Sequence, residues 1–321
     1  MKNYSLLHTV FGKRLQGFLG CALPVVALLT TVSLASAQTL FVGTESGGKV
    51  MSYNVATGSV TNNSLVSGFT NIYSLTTSSD TLYVGDIGNS KTGAYGFNGS
   101  TINATLVSGY KPIGLSVSGT TLLVGNYQAG TISSFNATTG TSITHPLITG
   151  SGQIWGFAQD SSANIYLVDR GTGKLEKYSS NGTHLTTLAT GLGSYGPFGI
   201  AVDNSTGDVY VAQYSNSAIG KWEAGSGNYT YFRSSQADIN QPTGLAIRDG
   251  HLYVGNYGTG TVTSYNLSNG TKYNEANWIT GVSGVTAIAF IPEPGSALLV
   301  MSAGALFLVA WRRRQGRLAR A

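Results

Sequence analysis

One short β-rich phrase returns six times in this chain at nearly constant spacing. The copies are TLFVG at Thr39, TLYVG at Thr81, TLLVG at Thr121, NIYLV at Asn164, DVYVA at Asp208 and HLYVG at His251. Successive copies start 40 to 44 residues apart, and each is followed by a turn, a second β-rich run, a glycine-containing turn and a third run. A fourth run precedes most copies. Four strands in a period of about 42 residues are typical of a propeller blade, so the repeat predicts an all-β, six-bladed β-propeller with four-stranded blades.

The order of the runs also predicts how the ring closes. Residues 39–66 supply the second, third and fourth strands of a blade, and Thr286 to Phe290 supply a first strand without partners of its own. We expect this last strand to pair beside the first one, because closure removes exposed sheet edges. The predicted propeller then spans residues 38–290. A right-handed β-solenoid is the alternative, although solenoid repeats run closer to about 20–30 residues and lack such hairpins.

The N-terminal segment has the layout of a secretory signal peptide. Basic residues precede an apolar stretch, and Ala35 and Ala37 form a small-x-small cleavage site. We therefore expect residues 1–37 to be removed by a signal peptidase after Sec-type export, and the mature chain to begin at Gln38. The only cysteine, Cys21, lies in this leader, so the exported body has no disulfide and no thiol nucleophile.

The C-terminal segment, residues 291–321, has three parts in a fixed order. The first part is Pro292, Glu293 and Pro294, the second is an apolar run, and the third is the cluster Arg312, Arg313 and Arg314. The two prolines end the preceding fold, because proline lacks an N–H and fixes φ. The apolar run predicts a transmembrane helix over 295–311, and the arginines would keep its end on the cytoplasmic side.

This three-part order resembles the PEP-CTERM sorting signal. The resemblance implies a bacterial envelope protein that an exosortase-type transpeptidase cuts near the Pro-Glu-Pro motif and then releases or transfers, often in cells that make exopolysaccharide. An ordinary C-terminal membrane anchor is the alternative, and the sequence leaves open whether the tail is cut or retained. On either interpretation the protein is expected to be exported and held in the membrane through its C-terminal helix before any processing.

Removal of the two ends changes the charge of the chain. The whole sequence carries a formal charge of +5, but the segment between Gln38 and Ile291 contains ten Lys or Arg against twelve Asp or Glu. Proteins that bind nucleic acid usually cluster basic residues on one face and carry a net positive charge. The near-neutral body therefore argues against nucleic acid as a main partner.

Two blade phrases, PFGIAVD at Pro197 and PTGLAI at Pro242, resemble NHL-type propellers. This family adjoins the gluconolactonase-like propellers, which hold a divalent cation in the central channel through Glu, Asn and Asp side chains. The resemblance therefore implies that a cation could bind in the channel of this protein as well. Polar residues end the predicted second strands in register: Thr44, Asp86, Asn126, Asp169, Gln213 and Asn256. We expect this ring to line the channel mouth. The residues of this ring either close turns or bind calcium. Asp86 and Asp169 are the candidate calcium ligands, because they are the charged members of the ring. No other cofactor is expected.

Aromatic residues occupy the next positions on the same predicted face. Three follow the second strands and two enter the first strands: Tyr127, Tyr214 and Tyr257, and Trp155 and Phe198. Glu45 and Arg170 hold the equivalent position in two other blades. Aromatic rings with polar tips suit both sugar stacking and protein contacts, although they also cover blade tops. These five residues are the candidate binding aromatics.

Catalytic motifs are absent from the predicted body. The sequence lacks G-x-S-x-G and H-E-x-x-H, and its three mature histidines fall in different blades. We therefore expect an exported, non-catalytic propeller that presents a binding face to polysaccharide or protein partners. The alternative is a metal-dependent, lactonase-like hydrolase of the gluconolactonase-like class, which would need a bound cation.

Overall fold

The computed structural model describes residues 39–292, apart from 151–152, 194–195, 235–236 and 275–277. The predicted signal peptide and its cleavage site, the tail helix at 295–311, Glu293, Pro294 and the arginine cluster lie outside the described residues. Residues Thr39–Pro292 form one compact unit. Among the described residues, no helix is long and apolar enough to cross a membrane.

The described chain is built from 23 β-strands. The first eleven are β1 (Thr39–Thr44), β2 (Lys49–Asn54), β3 (Val60–Ser67), β4 (Ile72–Thr77), β5 (Thr81–Asp86), β6 (Lys91–Gly96), β7 (Thr101–Ser108), β8 (Pro112–Ser118), β9 (Thr121–Asn126), β10 (Thr131–Asn136) and β11 (Ser142–Thr149). The others are β12 (Ile154–Gln159), β13 (Ile165–Asp169), β14 (Lys174–Tyr178), β15 (His184–Ala189), β16 (Pro197–Val202), β17 (Val209–Gln213), β18 (Ala218–Trp222), β19 (Tyr229–Arg233), β20 (Pro242–Arg248), β21 (His251–Asn256), β22 (Thr261–Asn266) and β23 (Val285–Phe290).

These strands form six antiparallel sheets arranged as the blades of a ring. Blade 1 has the order β23-β1-β2-β3, blades 2 to 5 each contain four consecutive strands, and blade 6 contains β20-β21-β22. The inner strands β23, β4, β8, β12, β16 and β20 contact one another in sequence around the centre, and β20 contacts β23 again. The six-bladed propeller predicted from the repeat is confirmed.

The predicted closure of the ring is present in blade 1. Strand β23, from the end of the body, pairs antiparallel with β1, from its beginning, and Leu40 lies opposite Phe290. On the other side of β1, Leu40 lies opposite Tyr53 of β2. The first strand is therefore paired on both edges, which leaves no open edge at the seam.

Blade 6 differs from the others at its outer position. Where a fourth strand would lie, the described residues show two isolated bridges, Val262 to Ile279 and Tyr265 to Lys272. Half of residues 271–280 are of types that are depleted in strands, so this sequence has little tendency to form a regular outer strand; they are Lys272, Asn274, Glu275, Ala276 and Asn277. The other five sheets have the predicted four strands.

The second strand of each blade is buried on both faces. In β1, Phe41 packs with Val84 of blade 2, while Leu40 and Val42 pack with Tyr253 of blade 6. Successive side chains point to opposite faces of a sheet, so a strand between two neighbouring blades must be apolar at every position. This requirement explains why the recurring phrase reads as a continuous apolar run. Each fully buried Leu or Phe contributes on the order of 1.5–3 kcal/mol.

The inner strands approach one another too closely for ordinary side chains at one register position. A Cβ added to Gly199 would lie 1.9 Å from the carbonyl oxygen of Thr243, and one added to Gly156 would lie 2.0 Å from that of Phe198. Hydroxyl groups join neighbouring inner strands elsewhere, since Ser74 donates to the carbonyl oxygen of Pro112 over 2.9 Å. Glycine at this position therefore allows the ring to close around a narrow centre.

Candidate functional site

The inner strands begin, and the second strands end, on the same face of the ring, which we call the upper face. Tyr73, Trp155 and Phe198 are the second residues of inner strands β4, β12 and β16. Tyr127, Tyr214 and Tyr257 are the first residues after second strands β9, β17 and β21. The propeller topology therefore brings two sets of aromatic residues from different blades to one surface.

The five candidate aromatics form one continuous chain of ring contacts, which we call the upper-face arc. Its members are Tyr127, Trp155, Phe198, Tyr214 and Tyr257. Their successive centroid distances are 5.3, 4.2, 4.9 and 6.0 Å, and the first two contacts are edge-to-face. Three of the four distances fall in the range of about 4.5–7 Å typical of favourable aromatic pairs, and the Trp155–Phe198 contact is slightly closer. The arc extends over blades 3 to 6, with Tyr127 36% exposed at one end.

Arg170 adds a positive charge to the middle of the arc. Its guanidinium carbon lies 4.2 Å from the centroid of the Trp155 ring, which is within the range of a cation–π interaction. Arg170 directly follows β13, and its backbone N–H donates to the carbonyl oxygen of Gln153 over 2.9 Å. The loop before the inner strand of blade 4 is thus fixed to the loop that carries the arginine.

Glu45 connects the arc to the remaining blades. Its Oε2 accepts a hydrogen bond of 2.7 Å from the Tyr257 hydroxyl, and its Oε1 accepts one of 2.6 Å from the Tyr73 hydroxyl. The hydrogen bond to Glu45, together with burial, raises the pKa of Tyr257 to about 12. Burial and then the same carboxylate raise the pKa of Tyr73. Burial and the charge of Glu45 also raise the pKa of Tyr214, so all three phenols stay protonated at physiological pH.

The structure places the acidic members of the predicted channel-mouth ring inside the blades. Asp86 is fully buried, and its carboxylate accepts hydrogen bonds from the backbone N–H groups of Thr70, Asn71 and Asn89 and from the Asn89 side chain. Asp169 is 1% exposed and accepts the backbone N–H of Gly171 over 2.8 Å. These carboxylates therefore close the loops of their own blades.

The other members of the predicted ring are also used within their blades. Asn126 accepts the N–H of Gln128, and Asn256 accepts that of Asn240 while its amide group donates to Thr263. Gln213 donates to the Tyr229 hydroxyl over 2.7 Å, and the Thr44 hydroxyl donates to the carbonyl oxygen of Lys49 over 3.3 Å. None of the six is among the residues that line the central channel, and each is engaged by loop N–H groups or neighbouring strands of its own blade.

The central channel is narrow and is lined by the inner strands of all six blades. Its volume is about 230 Å³, with Tyr73, Trp155 and Phe198 among the residues that line it. Pockets for drug-sized ligands usually measure roughly 300–1,000 Å³. Among the described residues, no cluster of three or more His, Cys, Asp or Glu side chains is arranged to hold a metal ion. A large ligand would therefore contact the arc at the mouth and not enter the channel.

A wider groove of about 630 Å³ lies at the seam between blades 1 and 6. Met51 and Tyr53 of β2 line one side, and Trp278 and Val282 line the other. The groove lies where the described residues of blade 6 form only isolated bridges in place of a fourth strand. No sequence motif predicts this groove, because it arises from the missing regularity of a strand.

The three histidines of the body lie in different blades, as the repeat predicts. His145 is in β11, His184 begins β15 and His251 begins β21. His145 Nδ1 lies 2.8 Å from the Ser133 hydroxyl and 2.9 Å from that of Tyr110. Ser133 is fully buried in blade 3, so this serine is not accessible as a nucleophile. The sequence did not indicate this contact, because it depends on the pairing of β10 with β11.

Comparisons with known proteins agree with both parts of this architecture. Residues 290–314 match the family model described as the PEP-CTERM protein-sorting motif. The crystal structure of a nidogen/laminin complex superposes with a TM-score of 0.66 at 16% identity, over 79% of this chain and 98% of that one. A protein of unknown function from Bacteroides caccae superposes with a TM-score of 0.59 at 15% identity, over 80% of this chain and 100% of that one.

At these identities the structural likenesses show the fold alone. A search of curated protein sequences finds no match. The sorting motif covers the end of the last inner strand, the Pro-Glu-Pro residues and the arginine cluster. It indicates an exported protein that is sorted to the cell envelope or surface, with an exosortase-type processing partner. The chain is a six-bladed β-propeller that carries a PEP-CTERM protein-sorting motif at residues 290–314.

Proposed function

We propose that this protein is an exported, non-catalytic propeller whose upper-face arc binds extended carbohydrate chains outside the cytoplasm. One observation carries the proposal: five aromatic rings from four consecutive blades make an unbroken series of contacts at the mouth of the ring. Aromatic faces offer sugar rings a large, rigid contact area at low entropic cost. The narrow channel supports the same view, because a polymer can lie across the arc without entering it.

The arc can be tested with paired tyrosine variants. Tyr127 and Tyr231 are both exposed, at 36% and 56%, but only Tyr127 belongs to the arc, while Tyr231 lies on outer strand β19. Binding of the purified protein to a panel of neutral and charged polysaccharides should weaken several-fold in Tyr127→Ala and in Tyr214→Ala. Tyr231→Ala should bind like the unmodified protein. Arc variants that bind every polysaccharide as the parent does would refute the carbohydrate proposal.

The absence of catalysis and of a cofactor is part of the proposal. Its support is the engagement of Asp86 and Asp169 by loop N–H groups of their own blades, which leaves few free lone pairs for a cation. The alternative, a metal-dependent lactonase-like hydrolase, needs calcium or another divalent ion in the channel. Calorimetry that gives a one-to-one calcium signal tighter than millimolar, lost in the double variant Asp86→Ala and Asp169→Ala, would favour the hydrolase.

The two terminal segments point to two cleavages. We propose that signal peptidase exposes Gln38 during Sec-type export, and that an exosortase-type transpeptidase cuts near Pro292. Intact mass and cell fractionation test both cleavages. A mass that runs from Gln38 to the Pro-Glu-Pro region supports release or transfer of the propeller. A protein that keeps residues 295–311 in the membrane fraction instead favours a permanent anchor.

A further inference from the structure

Charge is distributed unevenly between the two faces of the propeller. The loops on the upper face carry Lys49, Lys91, Lys111, Arg170, Lys174 and Arg233. The turns on the opposite face carry Asp80, Asp160, Asp203, Asp208, Glu223 and Asp249. The upper face also carries Glu45, Asp86, Asp169 and Asp238, and the opposite face Lys221 and Arg248. The charge balance of the upper face, which also carries the aromatic arc, is still the more positive of the two.

The upper-face lysines of blades 2 to 4 have no acidic partner among the described residues. No carboxylate among the described residues lies within ion-pair distance of Lys91, Lys111 or Lys174. By contrast, Lys221 lies 2.9 Å from Asp208 on the opposite face. Cations without partners keep their full charge available to a ligand, whereas paired ones are largely neutralised.

The acidic groups of the upper face do not cancel this charge at the surface. Asp86 and Asp169 are buried beneath the loops, where N–H groups surround them. Asp238, in the upper-face loop between β19 and β20, is paired with Arg233 and Lys272 and offsets the charge of Arg233. Glu45 accepts hydrogen bonds from the Tyr73 and Tyr257 hydroxyls, one at each of its oxygens. It lies at the blade 1 end, away from blades 3 and 4.

Two of the basic residues directly adjoin the arc. Arg170 lies over the Trp155 ring at 4.2 Å. The backbone carbonyl oxygen of Lys111 accepts the N–H of Tyr127 over 3.0 Å, which fixes Lys111 beside the exposed end of the arc. A guanidinium presents its N–H donors in a planar fork whose geometry suits a carboxylate.

We propose that the upper-face arc binds an anionic polysaccharide with carboxylate groups along its chain. Its sugar rings would stack on the arc, and its carboxylates would contact Arg170, Lys111 and the neighbouring lysines over blades 2 to 4. This inference rests on the carbohydrate binding proposed above and adds the charge class of the ligand. The side of the ring that carries Glu45 repels the same polymer, so the ligand is bound asymmetrically.

The test measures binding of the purified full-length protein to polygalacturonate and to its methyl ester, which has the same sugar backbone but uncharged, methylated carboxyl groups. Polygalacturonate should bind at least about tenfold more tightly, and added salt should weaken this binding, since surface charges are screened beyond roughly 10 Å at 0.1 M salt. Arg170→Gln and Lys111→Gln should each weaken polygalacturonate binding by about three- to tenfold without affecting the ester. Glu45→Gln should strengthen it. The control Lys177→Gln removes a charge on β14 that packs on Tyr166, and it should change nothing.

Each outcome decides between the two proposals. Equal binding of both polymers, with loss in Tyr214→Ala, would overturn the charge inference and leave carbohydrate binding intact. No binding of either polymer by the folded protein would overturn both. Single-stranded DNA that competes as strongly as polygalacturonate would replace the inference with unspecific binding of polyanions.

Discussion

The carboxylate of Glu45 accepts a hydrogen bond of 2.7 Å from the hydroxyl of Tyr257, which lies 212 positions later in the chain. Its second oxygen accepts one from Tyr73 over 2.6 Å. Glu45 follows β1, so this single side chain joins blade 1 to blade 6 on one side and to blade 2 on the other. It therefore links the two ends of the propeller at the upper face, as β23 does within the sheet of blade 1.

The first prediction concerns this carboxylate. We expect Glu45→Gln to lower the free energy of unfolding by about 1–2 kcal/mol, because two charge-assisted hydrogen bonds become neutral ones. We also expect it to lower the pKa of Tyr257 from its value of about 12 towards the ordinary 10.0. The folded pKa is the raised one, so this stabilisation is complete below pH 10.0 and is lost as pH rises through about 12. Urea unfolding at neutral pH and tyrosinate absorbance during alkaline titration measure the two effects.

The matched control for this variant is Asp80→Asn, on the opposite face. It removes the same charge from an exposed turn. Among the described residues, the Asp80 carboxylate accepts a side-chain hydrogen bond only from the neighbouring Thr81 hydroxyl. Its stability and titration curve should match those of the parent within about 0.5 kcal/mol. A Glu45→Gln titration curve that superposes on the parent curve would contradict the role assigned to the carboxylate.

The second prediction concerns the close approach of the inner strands. Gly199→Ala should destabilise the propeller by more than about 3 kcal/mol, because the new Cβ would lie 1.9 Å from the Thr243 carbonyl oxygen. Backbone atoms form this contact, so a rotamer change cannot relieve it. Gly225→Ala is the control, since nothing lies within 4 Å of its Cβ position. Thermal unfolding followed by circular dichroism distinguishes the two variants, and similar midpoints would refute the packing argument.

Much of the fold could be predicted because the same β-rich phrase recurs every 40 to 44 residues in the sequence. The recurring apolar phrase must be buried on both faces, and this condition holds only for a strand between two neighbouring blades. Closure by Val285–Phe290 followed from the order of the runs. The outer position of blade 6 was less predictable. A fourth strand was expected from the repeat, but the sequence after Gly270 forms only isolated bridges among the described residues.

The position of each site residue relative to the recurring phrase of its blade predicts the face on which it lies. Its contacts, however, depend on packing between blades. Counting from each phrase brings Tyr127, Tyr214 and Tyr257 to one face, and the structure joins them through Trp155 and Phe198. The same count could not show which side chains turn outward and which turn into the blade. Asp86 holds a position predicted to face the channel mouth. Its carboxylate instead accepts hydrogen bonds from the backbone N–H groups of Thr70 and Asn71, in the loop before β4.

Tyr73 is the functional candidate that the sequence interpretation omitted. Its signal was available, because it holds the same inner-strand position as Trp155 and Phe198. Its hydrogen bond to Glu45 joins blades 1 and 2 across the channel mouth and could be found only in three dimensions.

The third prediction separates structural from metal-binding roles of the buried aspartates. Asp86→Asn should lower the free energy of unfolding by about 1–3 kcal/mol, because an amide replaces one acceptor oxygen with a donor that faces backbone N–H groups. The loss should be the same in calcium and in chelator. Chemical unfolding in both buffers measures it, with Asp80→Asn, at an exposed turn of the opposite face, as the control. A parent protein that gains stability only in calcium would show that the carboxylate binds the ion.

The fourth prediction concerns the closing strand. We expect residues 38–292 to unfold cooperatively, because Thr39–Pro292 forms one compact unit and β23 pairs with β1 along its length. A chain that ends at residue 284 should lose most of its stability, since it exposes the edge of β1 and the apolar surface around Leu40 and Val42. The free energy of unfolding of a natural domain is only about 5–15 kcal/mol in total.

Urea unfolding and size-exclusion chromatography compare the two chains. A peptide of residues 285–292 should restore folding of the shorter one by pairing with β1, and a shorter chain that folds as stably without the peptide would show that the ring does not depend on this closure.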